Sequence, residues 1–291
     1  MNQDQLEHVE LLREAFDKYL MHVHEADLQP NDMMLSYDFD FLADRKWNGL
    51  AETMLGCDLR ELTNLINGWG MSLKRWHAWS MVLNGHDELK ACELRSEFLD
   101  SLVHKCLLRP SSIRDTLTSV ATAAFHQVRL SIDRSYPDYI EGDPRTPEEK
   151  PMFFTRKQKE KRLNNLIKIW PESTLILNSL RKINTTTYIN KTSDYRNLAN
   201  HSIGPRLGVG ETRTVTRSIE PATVFEEAEK GRFTRVNVPG KVVVSYGFGG
   251  TLPLDLETVR AANLAQYQLA RSCYTEYRTL LEMTVAKIER V

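Results

Sequence analysis

Cysteine is scarce in this chain and never closely paired: Cys57, Cys92, Cys106 and Cys273 stand far apart, with no C-x-x-C among them. That spacing argues against a zinc ribbon and offers no disulfide framework, so buried, reduced thiols are the expectation. No run of about 18 uncharged apolar residues occurs, the length a membrane-crossing helix needs. The opening residues, Met1-Asn2-Gln3-Asp4-Gln5, carry neither the basic end nor the apolar stretch of an export leader. A cytoplasmic location without a membrane partner is therefore expected. Internal repeats are absent as well, and a net charge of -1 gives no global pull toward a polyanion.

What is present is an ordinary globular composition, 41% hydrophobic and 26% charged, over 291 residues. That length suits one large domain or two modest ones. The charge is unevenly placed. Residues 1–155 carry 16 basic and 26 acidic side chains, residues 156–241 carry 17 and 8, and residues 242–291 carry 5 of each. The basic middle segment can attract a polyanion locally; read alone, it is equally a solvated face that pairs with the acidic part.

Helical spacing dominates the chain. Leu6, Val9, Leu12, Phe16, Tyr19, Leu20 and Val23 predict an amphipathic helix that Gln29-Pro30-Asn31-Asp32 breaks. Tyr37 to Phe41 reads as either a short strand or a loop. From Trp47 to about Asn84, shorter helical pieces interrupted by Gly56, Gly68 and Gly70 are expected, with Trp69, Trp76 and Trp79 forming a local aromatic core. Two strong helices follow, Asp87 to about Leu108, stopped by Arg109-Pro110, and Ser112 to about Asp133. Pro137 to Pro151 reads as an exposed loop. Helices are then expected from Thr155 to Pro171 and from Glu172 to about Ile183, and Thr185 to Thr192 as a connection, because threonine-rich, β-branched composition is poor for helix. A helix capped by Ser193 fades at Gly204-Pro205. Thr212–Ile219, Phe233–Val238 and Lys241–Phe248 read as strands with a hairpin turn at Val238-Pro239-Gly240-Lys241, and a long helix closes the chain from about Asp255 to Arg290.

Among the eight histidines, only His201 follows an arginine by five to seven residues, in the segment Arg196-Asn197-Leu198-Ala199-Asn200-His201. At about 100° per residue, Asn197 and His201 share a helix face, while Arg196 lies roughly 140° from His201 and must reach around on its long stem. One helix therefore presents an incomplete site. Two copies across a two-fold axis would pair two Asn/His sets around a groove, with each guanidinium able to reach a phosphate between them. Histidine suits proton transfer near neutral pH, and arginine offers a fixed charge and a bidentate fork to a crowded phosphate. The same residues could instead satisfy surface hydrogen bonds at a helix start.

Arg196, Asn197 and His201 match the R-N-x-x-x-H form of the HEPN family, and the chain resembles that family in context: long bundle helices, a helix just before the motif, the motif near the start of its own helix, and a long helix at the end. The resemblance implies a mostly α fold, an HEPN-like helical bundle, here with a small antiparallel β insertion near the C-terminal third. It maps onto residues 87–291, with 137–151 as a loop insert and 205–253 as a loop and small β-sheet insert; residues 1–86 form an N-terminal helical region of unknown role. It also implies a metal-independent RNA endonuclease without a cofactor, working as a homodimer and leaving 2′,3′-cyclic phosphate and 5′-hydroxyl ends. His201 would transfer protons, Arg196 stabilise the phosphate and Asn197 orient His201 or the substrate. A toxin or anti-phage effector, with an antitoxin or regulatory partner, fits the family's common use. The tyrosine that some of the family's toxins place two residues after the histidine is Ile203 here.

Arg206, Arg213 and Arg217, just past the motif, are candidates for gripping an RNA backbone. Other signals carry less. His22 and His24 point about 200° apart on a helix, with no third metal ligand indicated. Asp38-Phe39-Asp40 has no glycine-serine turn upstream, and neither 204–210 nor 247–250 leads into Gly-Lys-Ser/Thr. Two further function classes remain: a non-catalytic HEPN-like module binding nucleotide, RNA or protein, and a purely structural interaction module, which would leave the basic segment unexplained.

Overall fold

A computed structural model describes residues 3–25 and 34–291. The interruption expected at Gln29–Asp32 lies outside the described residues. The chain divides into two compact units, one of Met1–Arg196 with Glu257–Val291 and one of Asn197–Leu256.

The first unit is helical. Its described elements are α1 (Gln3–Glu25), a single 3₁₀ turn (Asp40–Leu42), α2 (Ala51–Leu83), α3 (Glu88–Leu94), a π-helical turn (Arg95–Leu99), α4 (Asp100–Ile132), α5 (Arg156–Ile167), α6 (Ser173–Lys182), α7 (Thr186–Lys191) and α9 (Leu256–Val285). The acidic, aromatic stretch Tyr37–Phe41 is thus a loop leading into a 3₁₀ turn, and 133–155 has no regular element. Among the described side chains of α1 only Ala15 and Tyr19 are buried, while Leu6, Phe16, Leu20 and Met21 stay exposed.

Helix α2 runs unbroken through all three glycines that the sequence suggested as interruptions. An interior glycine costs about 1 kcal/mol against alanine. Burial of Leu55, Leu59, Leu62, Ile66, Trp69, Leu73 and Trp76 stabilises the same helix by roughly 1.5–3 kcal/mol each, so packing prevails. Gly70 also has a packing role. A Cβ built there would collide with the Tyr267 hydroxyl of α9, whereas Gly56 and Gly68 have open space. Two of the three tryptophans meet other rings, Trp69 edge-on to Tyr267 and Trp79 stacked between Tyr19 and Phe98, while Trp76 is fully buried.

Helix α4 likewise continues through Pro110, which the sequence suggested as a stop. Proline removes the amide that would bond the Cys106 carbonyl, a defect of about 3 kcal/mol in a helix interior. Here Asn263 Nδ2, on α9, donates to that carbonyl at 2.9 Å. The same amide group donates to the Tyr188 hydroxyl of α7, and its oxygen accepts from Trp69 Nε1, each at 2.8 Å. Asn263 is fully buried. It therefore joins α2, α4, α7 and α9 with its polar atoms satisfied, the condition for burying an amide without penalty.

Other contacts extend this core. Thr63 on α2 and Tyr274 on α9 share a hydrogen bond of 2.8 Å, and Phe125 on α4 meets Tyr277 edge-on. Helix α5 starts at a capping box, Thr155 with Gln158. Its Arg156 forks onto Asp115 of α4 at 2.8 and 2.9 Å, and Arg114 pairs with Glu160 at 2.7 Å. The threonine-rich stretch expected as a connection forms α7 instead, because its Tyr188 ring is buried and holds Asn263. The thiols divide: Cys106 and Cys273 are buried as expected, but Cys57 and Cys92 are exposed, on the outer faces of α2 and α3.

The second unit holds β1 (Thr212–Glu229) and β2 (Arg232–Thr251), one antiparallel pair. The chain reverses at Lys230-Gly231, between Glu229 and Arg232, where Gly231 takes φ +84° as a two-residue turn demands. The turn expected at Pro239-Gly240 is an irregularity within β2: Pro221 pairs with Val242 and Thr223 with Asn237, leaving Val238–Lys241 opposite Ala222 alone. Proline has no amide for the ladder and is tolerated in such a bulge. Two long strands thus replace the three short ones expected. Leu207 bridges Leu254 at the base of the hairpin.

Candidate functional site

Helix α8 (Tyr195–His201) carries the motif. Its entry is shaped by the backbone, since Ser193 and Asp194 both adopt left-handed conformations, φ 48° and 51°. Ser193 is therefore not an extended N-cap. The Tyr195 amide bonds the Thr192 carbonyl at 2.9 Å, closing the turn between α7 and α8. Tyr195 is buried and its hydroxyl meets His104 Nδ1 of α4 at 3.0 Å, which anchors the start of the helix.

Arg196, Asn197 and His201 are all exposed. Because the helix is regular from 195 to 201, Asn197 and His201 do share a face, as their four-residue spacing requires. Arg196 acts electrostatically on Asp115. Burial would raise the Asp115 carboxyl, but the hydrogen bond and charge of Arg156, helped by Lys159 and Arg196, hold it below its ordinary value. Arg196 thus belongs to a cationic group around Asp115 that the sequence did not reveal, because the cations come from α5 and α8 and the acid from α4. The only sequence signal was the basic run 156–162.

Arg206, Arg213 and Arg217 are exposed, in the second unit. The Arg206 amide donates to Thr212 Oγ1 at 3.2 Å, fixing the loop before β1. Arg213 makes one loose ion pair, 3.8 Å to Glu211. Arg213 and Arg217 lie on the same face of the hairpin, four residues apart on β1 with Val215 between them on that face.

A second cluster escaped sequence reasoning. Buried His126 on α4 sits between the Tyr136 hydroxyl (Nδ1, 3.0 Å) and Asp138 Oδ1 (Nε2, 2.9 Å), with the Arg129 guanidinium 4.1 Å from the Tyr136 ring centre. Tyr136 and Asp138 border a pocket of about 600 Å³ whose wall also includes Lys46, Arg134 and Lys287. Burial pushes the Tyr136 phenol up, against the lowering effect of Arg129. These contacts pin the irregular segment after α4 to the helix. No spacing of 126, 136 and 138 would have announced them. Among the described residues, no group of three histidine, cysteine or acidic side chains could hold a metal ion, and His22 and His24 form no such group on α1. Nor is any described helix long and apolar enough to cross a membrane.

No protein-family model matches the chain, and neither the curated proteins nor the solved structures include a significant match to it.

Proposed function

We propose that the chain is a metal-independent RNA endonuclease of the HEPN type that acts as a homodimer. One observation carries the reading: a regular, exposed helix runs through Arg196, Asn197 and His201, so the histidine and asparagine share a face open to a polyanion. His201 takes the proton from a ribose 2′-hydroxyl. The freed oxygen attacks the adjacent phosphorus, the bond to the 5′-oxygen breaks, and the protonated imidazole of the paired subunit donates its own proton to the leaving oxygen, so that the two rings exchange protonation states. Arg196 stabilises the charge of the phosphorane. Asn197 orients the ring or the substrate. The products are a 2′,3′-cyclic phosphate and a 5′-hydroxyl. A toxin or anti-phage effector, held in check by a protein partner, is the setting such an activity fits.

Incubating the purified protein with total RNA in chelator tests the reading. Wild type should cleave, and His201→Ala should lose about 10²- to 10⁴-fold in rate, with Arg196→Ala similarly impaired. Cleavage that survives both changes removes the site assignment. The alternative, a non-catalytic HEPN-like module binding nucleotide, RNA or protein, draws on the electrostatic interaction of Arg196 with Asp115, which gives the arginine a role in the fold. Binding without cleavage by any form would favour it.

A further inference from the structure

The paired strands β1 and β2 have two unlike faces. Directly opposed residues of an antiparallel pair lie on one side, and so do alternate residues along each strand. One side therefore carries Thr214 with Gly249, Thr216 with Gly247 and Ser218 with Ser245, all small. The opposite side carries Arg213, Val215 with Phe248, Arg217 with Tyr246, and Ile219 with Val244. That second face contains two aromatic rings, two arginines and aliphatic side chains, and no acid between Arg213 and Pro221 or between Val242 and Gly250. It is open: Phe248 is 91% exposed, Tyr246 62%, and the Arg213 side chain 88%.

Two exposed rings beside two loosely engaged guanidinium groups are costly for an ordinary surface, since large apolar side chains cluster in the open where something binds them. From the charge and the rings together we infer that this face is a stacking platform for unpaired RNA. Tyr246 and Phe248, two residues apart on one strand, stand about 6.8 Å from each other. That is twice the roughly 3.4 Å step of a stacked nucleic-acid strand. Each ring can therefore take one base only when the strand is extended and its bases are unstacked, while a duplex hides its base faces. Arg217, across from Tyr246, and Arg213 at the base of the hairpin reach the phosphates on either side. Aromatic stacking with arginine alongside is tolerant of sequence and selective for single strands. The Glu211 carboxylate that meets Arg213 does so at 3.8 Å between exposed groups and yields to a phosphate.

The inference rests on the ribonuclease reading for the identity of the polyanion, and its test is separable from it. Full-length His201→Ala protein, which cannot consume the probe, is titrated in chelator with a labelled unpaired oligoribonucleotide of about 12 nucleotides, a length within the reach of such platforms. The same strand annealed to its complement is the second probe. The joint change Tyr246→Ala with Phe248→Ala should weaken binding of the unpaired strand by about tenfold or more and leave the salt dependence alone. Arg213→Gln with Arg217→Gln should make log affinity against log salt shallower by about 1.4. Phe248→Trp, which keeps a ring, should retain binding, and the duplex should bind more weakly than the single strand. Undiminished affinity in the double alanine variant overturns the inference, as does a variant whose sedimentation mass falls while RNA binding persists, since the face is then a contact between copies. RNA bound through these rings but never cut by the wild type sinks the ribonuclease reading alone; RNA cut normally by the double alanine variant at unchanged affinity sinks the platform alone.

Discussion

The side chain of Asn263 donates to the carbonyl of Cys106 at 2.9 Å, the acceptor that Pro110 leaves without its helical partner. A helix defect near one-third of the chain is thus repaired from near its end. Replacing Asn263 by alanine strands two buried groups at once, the Cys106 carbonyl and Trp69 Nε1, and leaves the Tyr188 hydroxyl only its bond to the Leu107 carbonyl. A loss of roughly 2–5 kcal/mol is expected in chemical denaturation. Adding Pro110→Ala should recover part of that loss, because the new amide can bond the Cys106 carbonyl. A double variant no more stable than Asn263→Ala alone would show that the carbonyl is not what the asparagine serves.

The three glycines of α2 should respond in opposite directions. Gly56→Ala and Gly68→Ala enter open space and should gain up to about 1 kcal/mol from helix propensity. Gly70→Ala drives its methyl against the Tyr267 hydroxyl and should lose about 1–3 kcal/mol. Thermal melts of the three single variants provide the comparison, and equal shifts would refute the close approach of α2 and α9.

Thiol chemistry should separate the cysteines by place. Burial pushes Cys106 and Cys273 up to about 12, so at pH 8 neither supplies thiolate or access. Cys57 and Cys92 are exposed. A disulfide reagent should therefore titrate two thiols quickly in native protein and four in denaturant. Four fast equivalents under native conditions would contradict the packing around α4 and α9.

Acid should weaken the joint between α4 and α5. The Asp115 carboxyl is held below its ordinary 3.8 by Arg156 and its cationic neighbours in spite of burial. A carboxyl depressed in the folded state stabilises the fold above its unfolded value and loses that contribution as pH falls through the folded one. Wild type should therefore exceed Asp115→Asn in melting temperature at pH 7, with the gap closing below about pH 4. A gap that is constant down to pH 3 would mean the pair contributes through shape rather than charge.

Where local pattern decided the outcome, the sequence was a good guide. Helices α5, α6 and α9 follow from apolar spacing and clear stops at Pro171 and Pro253, and the motif was legible because all of its residues lie on seven-residue α8. Misreadings arose where a distant partner decided. Pro110 is tolerated only through Asn263, and α7 forms because Tyr188 is buried against that same side chain. Pro239-Gly240 is the stronger local turn signal, yet register along the whole ladder set the reversal at Lys230-Gly231. The cationic group around Asp115 needed three helices to assemble, and no spacing along the chain could announce it.

The missing side chain at position 70 also ties that position to the residue at 267. Should descent replace the tyrosine there with something shorter, the constraint on the glycine would lapse, and larger residues could drift in without harm. Among divergent copies of this chain the two positions should therefore change as a couple, which makes them a signature of this particular helix pairing.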